Sequence, residues 1–150
     1  MYSHIAETWK LMLKTRSPEL KNKAYQWRRE PTLNRIDHPS RLDRARALGY
    51  KAKQGIVVVR ARVGRGGMRK QRPVSGRRPK HIGVVHIKQK ISMKRVAERR
   101  VSEKYINMKV MGSYLVYQDG MYSWFEVILI DPSHPSITKD KEMRSRINFN

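Results

Sequence analysis

The chain contains no cysteine, so disulfides, thiolate metal sites and cysteine nucleophiles are all excluded. Its histidines (His4, His38, His81, His86 and His134) are scattered, and no HxxxH or HExxH spacing occurs among them. Long apolar runs are missing too. The longest, at 56–59 and 127–130, fall far short of the roughly 20 residues a membrane-spanning helix needs. The first thirty residues hold no apolar signal core, because Lys10, Lys14, Arg16, Lys21 and Lys23 punctuate them, which predicts a soluble, cytosolic-type protein. Acidic residues are scarce, and Asp119 and Glu126 stand apart from the histidines in sequence. No acid/base pair, metal site or cofactor is therefore expected.

What the chain has in excess is positive charge. Its 150 residues carry 34 Lys and Arg against 12 Asp and Glu, a formal net charge of +22. Hydrophobic residues make up 39% and charged residues 31%, a balance more polar than an ordinary domain. So large a like-sign charge destabilises a compact free monomer unless a polyanion offsets it. The distribution is uneven. Residues 1–40 have a net charge of +4, residues 41–80 of +13 and residues 81–150 of +5, while 110–138 contain no Lys or Arg. A basic arm or face attached to a conventional core is the simplest reading.

Local patterns outline that core. Ile5, Trp9, Met12 and Leu13 have helical spacing. Ser17-Pro18-Glu19 starts a second helix with a capping serine, a first-turn proline and an acid. Its apolar stripe is Leu20, Ala24 and Trp27, and Pro31 ends it. Residues 30–40 read as an extended connection. A short helix follows, with Ser40 as its candidate cap and Gly49 as a left-handed terminator. In residues 56–63, alternation puts Val57, Val59, Ala61 and Val63 on one face of a strand and Arg60 and Arg62 on the other. Residues 64–80, with four glycines and two prolines among many cations, predict an extended loop.

A strand is expected at 82–88, then a helix capped by Ser92 and carrying Met93, Ala97, Val101 and Tyr105. Two strands, 108–117 and 121–130, meet around Asp119-Gly120 as a hairpin. The tail from Ser133 reads as irregular, with a short helical turn within 139–146. The expected class is α+β: a mostly antiparallel four-stranded sheet with a packed helix, a helical N-terminal segment and basic extended arms. The expected organisation is a helical and basic extension over 1–54, a core domain over 55–132 and a polar tail over 133–150.

The basic segment is the main functional signal. Lysine and arginine neutralise phosphates and release counterions. Ten of the fourteen cations in 41–80 are arginine, whose planar fork chelates phosphate and stacks on bases. Gly64-Arg65-Gly66-Gly67 lacks the Gly-Lys-Ser/Thr ending of a phosphate-binding P-loop, so glycine there suits close backbone approach. Trp27 beside Arg28 and Arg29, and Tyr50 beside Lys51, each admit two readings. The ring stacks on an unpaired base, or it belongs to the apolar core.

Several blocks are distinctive as wording. They are Arg41-Leu-Asp-Arg-Ala-Arg-Ala-Leu-Gly-Tyr-Lys-Ala-Lys-Gln-Gly55, then VVVRARV and RGG at 65–67, Gln26-Trp-Arg-Arg-Glu-Pro31, Val96-Ala-Glu-Arg99, Ser113-Tyr114 and Trp124-Phe-Glu-Val-Ile-Leu-Ile-Asp-Pro132. In collinear order over about residues 1–137, the chain closely resembles family fifteen of the archaeal and eukaryotic large-subunit ribosomal proteins, in its archaeal branch. The resemblance implies a non-enzymatic, cytoplasmic component of the large subunit with an α+β fold. Its partners would be large-subunit ribosomal RNA and neighbouring ribosomal proteins, with no membrane and no small-molecule substrate. Carried over position by position, it makes Arg41, Arg44, Arg46, Lys51, Lys53, Arg60, Arg62, Arg65, Arg69 and Arg72 RNA-contacting residues. Charge and neighbouring aromatics add Trp27, Arg28, Arg29, Tyr50, Lys70, Arg77, Arg78 and Lys80. Family members continue past the Asp-Pro-x-His-Pro stretch into a basic, glycine-rich tail, where this chain reads Arg-Ser-Arg-Ile-Asn-Phe-Asn. A DNA-coating, chromatin-like protein is the alternative that the charge alone allows. On the RNA reading, Arg60 and Arg62 form an exposed cationic strand face that can be truncated without harm to the fold.

Overall fold

A computed structural model describes residues 2–67, 71–83 and 91–148. Helix α1 (Tyr2–Thr15) buries Trp9. Helix α2 (Pro18–Arg29) starts where the Ser17 hydroxyl accepts the Leu20 amide, with Pro18 and Glu19 in its first turn. The predicted stripe Leu20, Ala24 and Trp27 is its buried face. Strand β1 (Leu33–Ile36) and helix α3 (Leu42–Ala47) follow. Gly49 leaves α3 at φ +92°, a conformation glycine adopts without a Cβ clash. Strand β2 (Ile56–Gly64) leads on to helix α4 (Met93–Lys104), whose first turn is capped by Ser92 through the Arg95 amide. Strands β3 (Lys109–Gln118) and β4 (Tyr122–Ile130) form the hairpin, and short helices α5 (Pro135–Thr138) and α6 (Lys141–Asn148) come last.

The strands pair antiparallel in the order β1-β2-β4-β3. Alternation along β2 and β4 gives the sheet two apolar faces. Val57, Val59, Ala61, Val63, Phe125, Val127 and Leu129 pack under Ala97 and Val101 of α4. Val58, Trp124 and Ile128 pack on the other side with Trp9, Leu20, Ala24 and Trp27 of the first two helices. The sheet is thus a middle layer, and β4, sealed on both sides, is buried from Ser123 to its end.

The α+β class stands, but several local expectations change. The fourth strand is β1, which lies within the stretch that reads as a connection. It is only four residues long and at the sheet edge, too short to show a period of two, and extended linker and strand share one backbone region. The strand expected at 82–88 is not seen where it can be checked. Residues 79–81 form a 3-10 turn that runs into Ile82, and 84–88 lie outside the described residues. Ser40 does not cap α3; Arg41 holds the cap position without a side-chain capping bond, and Ser40 turns to Glu126 instead. The tail is more ordered than expected. The His134 ring nitrogen accepts the Ser136 amide to begin α5, and Asp140 accepts the Glu142 amide to begin α6. Ile137 and Met143 then bury themselves against Ile130 and Ile56 at the end of the sheet.

Gly55 is the residue on which that closure depends. It has φ +87°, and a Cβ there would lie 2.7 Å from Cγ1 of Ile137 and 3.1 Å from the His134 side chain. Its carbonyl also accepts the Asp131 amide at 2.8 Å. Gly55→Ala combines left-handed strain with overpacking, so it is expected to destabilise the protein by about 2–4 kcal/mol. Urea unfolding measures this, and an unchanged midpoint would show that α5 gives way freely.

Candidate nucleic-acid interface

The residues selected for RNA contact divide into a set turned inward and a set turned outward. Arg60 belongs to the first. In register across the sheet stand Asn34, Arg60, Glu126 and Tyr114, one from each strand. Glu126 has no exposure at all. Its carboxylate accepts the Ser40 amide at 3.0 Å, the Ser40 hydroxyl at 2.5 Å and the Tyr114 hydroxyl at 2.6 Å. Arg60 Nη2 lies 3.5 Å from the same carboxylate and donates to the Ser40 hydroxyl, while its Nη1 donates to Glu30. The guanidinium sits 4.3 Å from the Trp27 ring centroid. Burial, and then the neighbouring negative charge of Glu126, push the Tyr114 hydroxyl well above the ordinary phenol range, so it remains a donor. The cationic strand face read from the alternation of β2 is therefore covered by the N-terminal helices at Arg60.

The two aromatics with open readings are both core. Trp27 is 6% exposed and packs 5.9 Å from Trp124, and Tyr50 is 6% exposed. Arg41 is buried as well. It pairs with Asp43 at 3.2 Å, donates to the Leu115 carbonyl and lies over Trp9. Lys51 and Lys53, at the opposite end of β2 from the hairpin turn, reach the C-terminal helices. Lys53 Nζ is 2.6 Å from Asp140, and Lys51 Nζ is 2.7 Å from Glu142 and 3.6 Å from Asp140.

At the hairpin end, four arginines from α2, the end of β2 and α4 come together. The Asp119 side chain accepts the Met121 and Tyr122 amides through Oδ1, and Arg28 through Oδ2 at 2.5 and 3.0 Å. Burial acts to raise the Asp119 pKa, but the Tyr122 amide and Arg28 outweigh it and hold the carboxyl below its usual value. Arg65 donates to the Asp119 carbonyl, and Arg62 donates to the Arg28 carbonyl while lying 4.9 Å from the Tyr122 ring centroid. Arg100 of α4 reaches the Arg62 carbonyl.

Outward lie Arg28, Arg29, Arg44, Arg46, Arg65, Arg72, Arg77, Arg78 and Lys80, all exposed. Arg69 and Lys70 fall outside the described residues. The sequence reading missed further exposed cations: Lys21 and Lys23 on α2, and Arg95, Arg99 and Arg100 on α4. The helical period turns Lys21 off the line of Leu20, Ala24 and Trp27, whereas Lys23, three residues after Leu20 and four before Trp27, flanks that stripe and is marked by its charge alone. A groove of about 1100 Å³ runs between α4 and β3. It mixes Arg95 and Arg99 with Glu98 and Glu103 and includes none of the residues chosen from sequence. Among the described residues no group of three His, Cys, Asp or Glu could hold a metal ion, and no helix is long and apolar enough to cross a membrane.

A family model described as Ribosomal L15 matches residues 1–147. The chain belongs to this family. The large ribosomal subunit protein eL15 of the archaeon Methanocella arvoryzae is 53% identical over 143 residues, covering 95% of this chain and 73% of that protein. The Ribosomal L15 family assignment agrees with the resemblance carried by the 41–55 block and its neighbours.

Two outcomes test the inward set in this Ribosomal L15 chain. Arg60→Ala leaves the Glu126 carboxylate buried without its cation, so a stability loss of about 3 kcal/mol is expected, read by urea unfolding. An unaltered midpoint would place Arg60 on the surface after all. The second concerns acid. Lys53 first, then the Met143 amide and Lys51, hold Asp140 at a pKa of about 2. Because the folded value is depressed, the stabilisation is complete above the ordinary carboxylate pKa of about 4. It is lost as pH falls through about 2. Asp140→Asn should flatten the stability profile across that interval, and an identical profile in the variant would exclude the linkage.

Proposed function

We propose that this chain is a structural constituent of the large ribosomal subunit, located in the cytoplasm and without catalytic activity. In this reading it binds and orders folded ribosomal RNA through its outward cations. The observation that carries the reading is the division of charge. The inward cations are matched by Glu30, Asp43, Glu126, Asp140 and Glu142, whereas Arg44 and Arg46 stand exposed on α3 and Arg72, Arg77, Arg78 and Lys80 within residues 71–80. Cations that the fold does not use are free to meet phosphates, and a rigid α3 presents two of them at a fixed spacing.

The RNA-binding set is accordingly Arg44, Arg46, Arg72, Arg77, Arg78 and Lys80, joined by Arg28, Arg29 and Arg65, which stay exposed although they also bond Asp119 or Tyr25, with Arg69 and Lys70 included on sequence grounds. Arg41, Arg60, Trp27 and Tyr50 support it from inside, and Lys51, Lys53 and Arg62 fix its ends. Recognition is of RNA shape through backbone contacts, because arginines on a short helix and an irregular loop offer no continuous element to enter a groove. The rest of the subunit supplies the neighbouring ribosomal proteins.

Filter binding of purified large-subunit RNA across a salt series tests this. The logarithm of the binding constant should fall steeply with the logarithm of salt concentration. Arg44→Ala/Arg46→Ala should make the slope shallower by about 1–2, with unfolding unchanged. A flat salt dependence would count against binding through phosphates, and equal affinity for random duplex DNA would favour the DNA-coating alternative.

A further inference from the structure

The aromatic residues beside cations that the sequence offered as base-stacking candidates are buried, but α2 carries another ring in the opposite direction. Tyr25 is 55% exposed. It follows Ala24 by one position and so lies off the buried stripe. Lys21 stands one turn before it, Arg29 one turn after it and Arg28 beside Arg29, all three exposed. Lys21 and Arg29 are therefore each displaced by about 6 Å along the helix axis from Tyr25.

We propose that Tyr25 is a stacking platform for one unpaired RNA base, with Arg29 and Arg28 engaging the adjoining backbone. This rests on the reading of the chain as an RNA-binding protein and adds the ligand of one particular site. The ring is held in place. The Arg29 guanidinium carbon lies 4.5 Å from the ring centroid, and its Nη2 donates to the Tyr25 hydroxyl. Arg28 is held too, since both Nε and Nη2 bond one oxygen of Asp119. A tyrosine fixed in this way contributes little to the core, because more than half of it remains in water.

An exposed flat ring flanked by cations fits one ligand chemistry best. A phosphate alone has no use for the ring, and a duplex presents its bases already stacked. An unpaired base joined to its phosphates uses both features, as in single-strand sites where aromatic rings lie within a basic track. Glu19, the one acid within α2, lies at the far end from Arg28 and Arg29, and Glu30 at the C-cap is engaged by Asn34 and Arg60.

The test uses the whole chain and an oligoadenylate of about ten nucleotides with 2-aminopurine at one position. A self-complementary RNA duplex and inorganic polyphosphate serve as comparison ligands. Tyr25→Leu should weaken oligoadenylate binding roughly tenfold or more and abolish the quenching of 2-aminopurine. Duplex and polyphosphate binding should be unchanged, and Tyr25→Phe should keep both affinity and quenching. Equal oligoadenylate affinity and quenching in Tyr25→Leu would overturn the proposal. So would a parallel loss for polyphosphate, which would assign the effect to charge alone. The broader reading fails separately, by the chain preferring duplex DNA to ribosomal RNA, whatever Tyr25 does.

Discussion

A carboxylate with no access to water, in a chain of net charge +22, constrains this fold more than any other single group. Glu126 occupies the middle of β4, the strand covered on both faces. A buried charge in such a place costs several kcal/mol unless its lone pairs are filled and a cation lies near. Three donor groups fill them, from Ser40 and Tyr114, and Arg60 supplies the cation. The partners come from β2, from β3 and from the linker before α3, and Arg60 extends the network to Glu30 at the end of α2. One group thus ties the N-terminal segment to the sheet. The same demand explains why Ser40 leaves the helix cap it was expected to provide.

Acidic residues elsewhere act in the same sense. Asp43 holds Arg41, Asp119 holds Arg28, and Asp140 with Glu142 holds Lys51 and Lys53. In a chain with 34 basic side chains, twelve acids cannot neutralise the surface, but they can select which cations the fold engages. Apart from Asp43 with Arg41, which are two residues apart, those pairs join segments distant in sequence: the hairpin turn with α2, and the start of α6 with the residues that precede β2. The excess charge therefore separates into a fraction that stitches the fold and a fraction left for a polyanion. Net charge reports only their sum.

Much of the fold was legible because it depends on local chemistry. Ser17-Pro18, Ser92, Gly49 and Asp119-Gly120 mark boundaries by capping, by left-handed geometry or by turn hydrogen bonds, all encoded within a few residues. The alternation in β2 correctly separated Val57, Val59, Ala61 and Val63 from Arg60. What sequence could not reveal was which layer would cover the second face. An arginine on a strand looks the same whether it points to water or to a carboxylate 66 positions later, and Leu33–Ile36 looks the same as linker or edge strand. Long-range pairing decides both, and a single sequence records it only as separate halves.

The aromatics of α2 make the same point within one helix. Trp27 stands next to Arg28 and Arg29, and by adjacency it is the obvious stacking ring. Adjacency in sequence is a poor guide on a helix, where neighbours differ by about 100° of rotation and residues four apart lie on one line. By that geometry Trp27 shares a face with Leu20 and Ala24 and must be buried, while Tyr25 shares a face with Lys21 and Arg29 and must not. The larger ring then works from beneath, with Arg60 against it and Trp124 beside it, fixing the angle of α2 on the sheet. That angle determines where Tyr25, Arg28 and Arg29 meet solvent. The buried tryptophan sets the position of the surface to which it was first assigned.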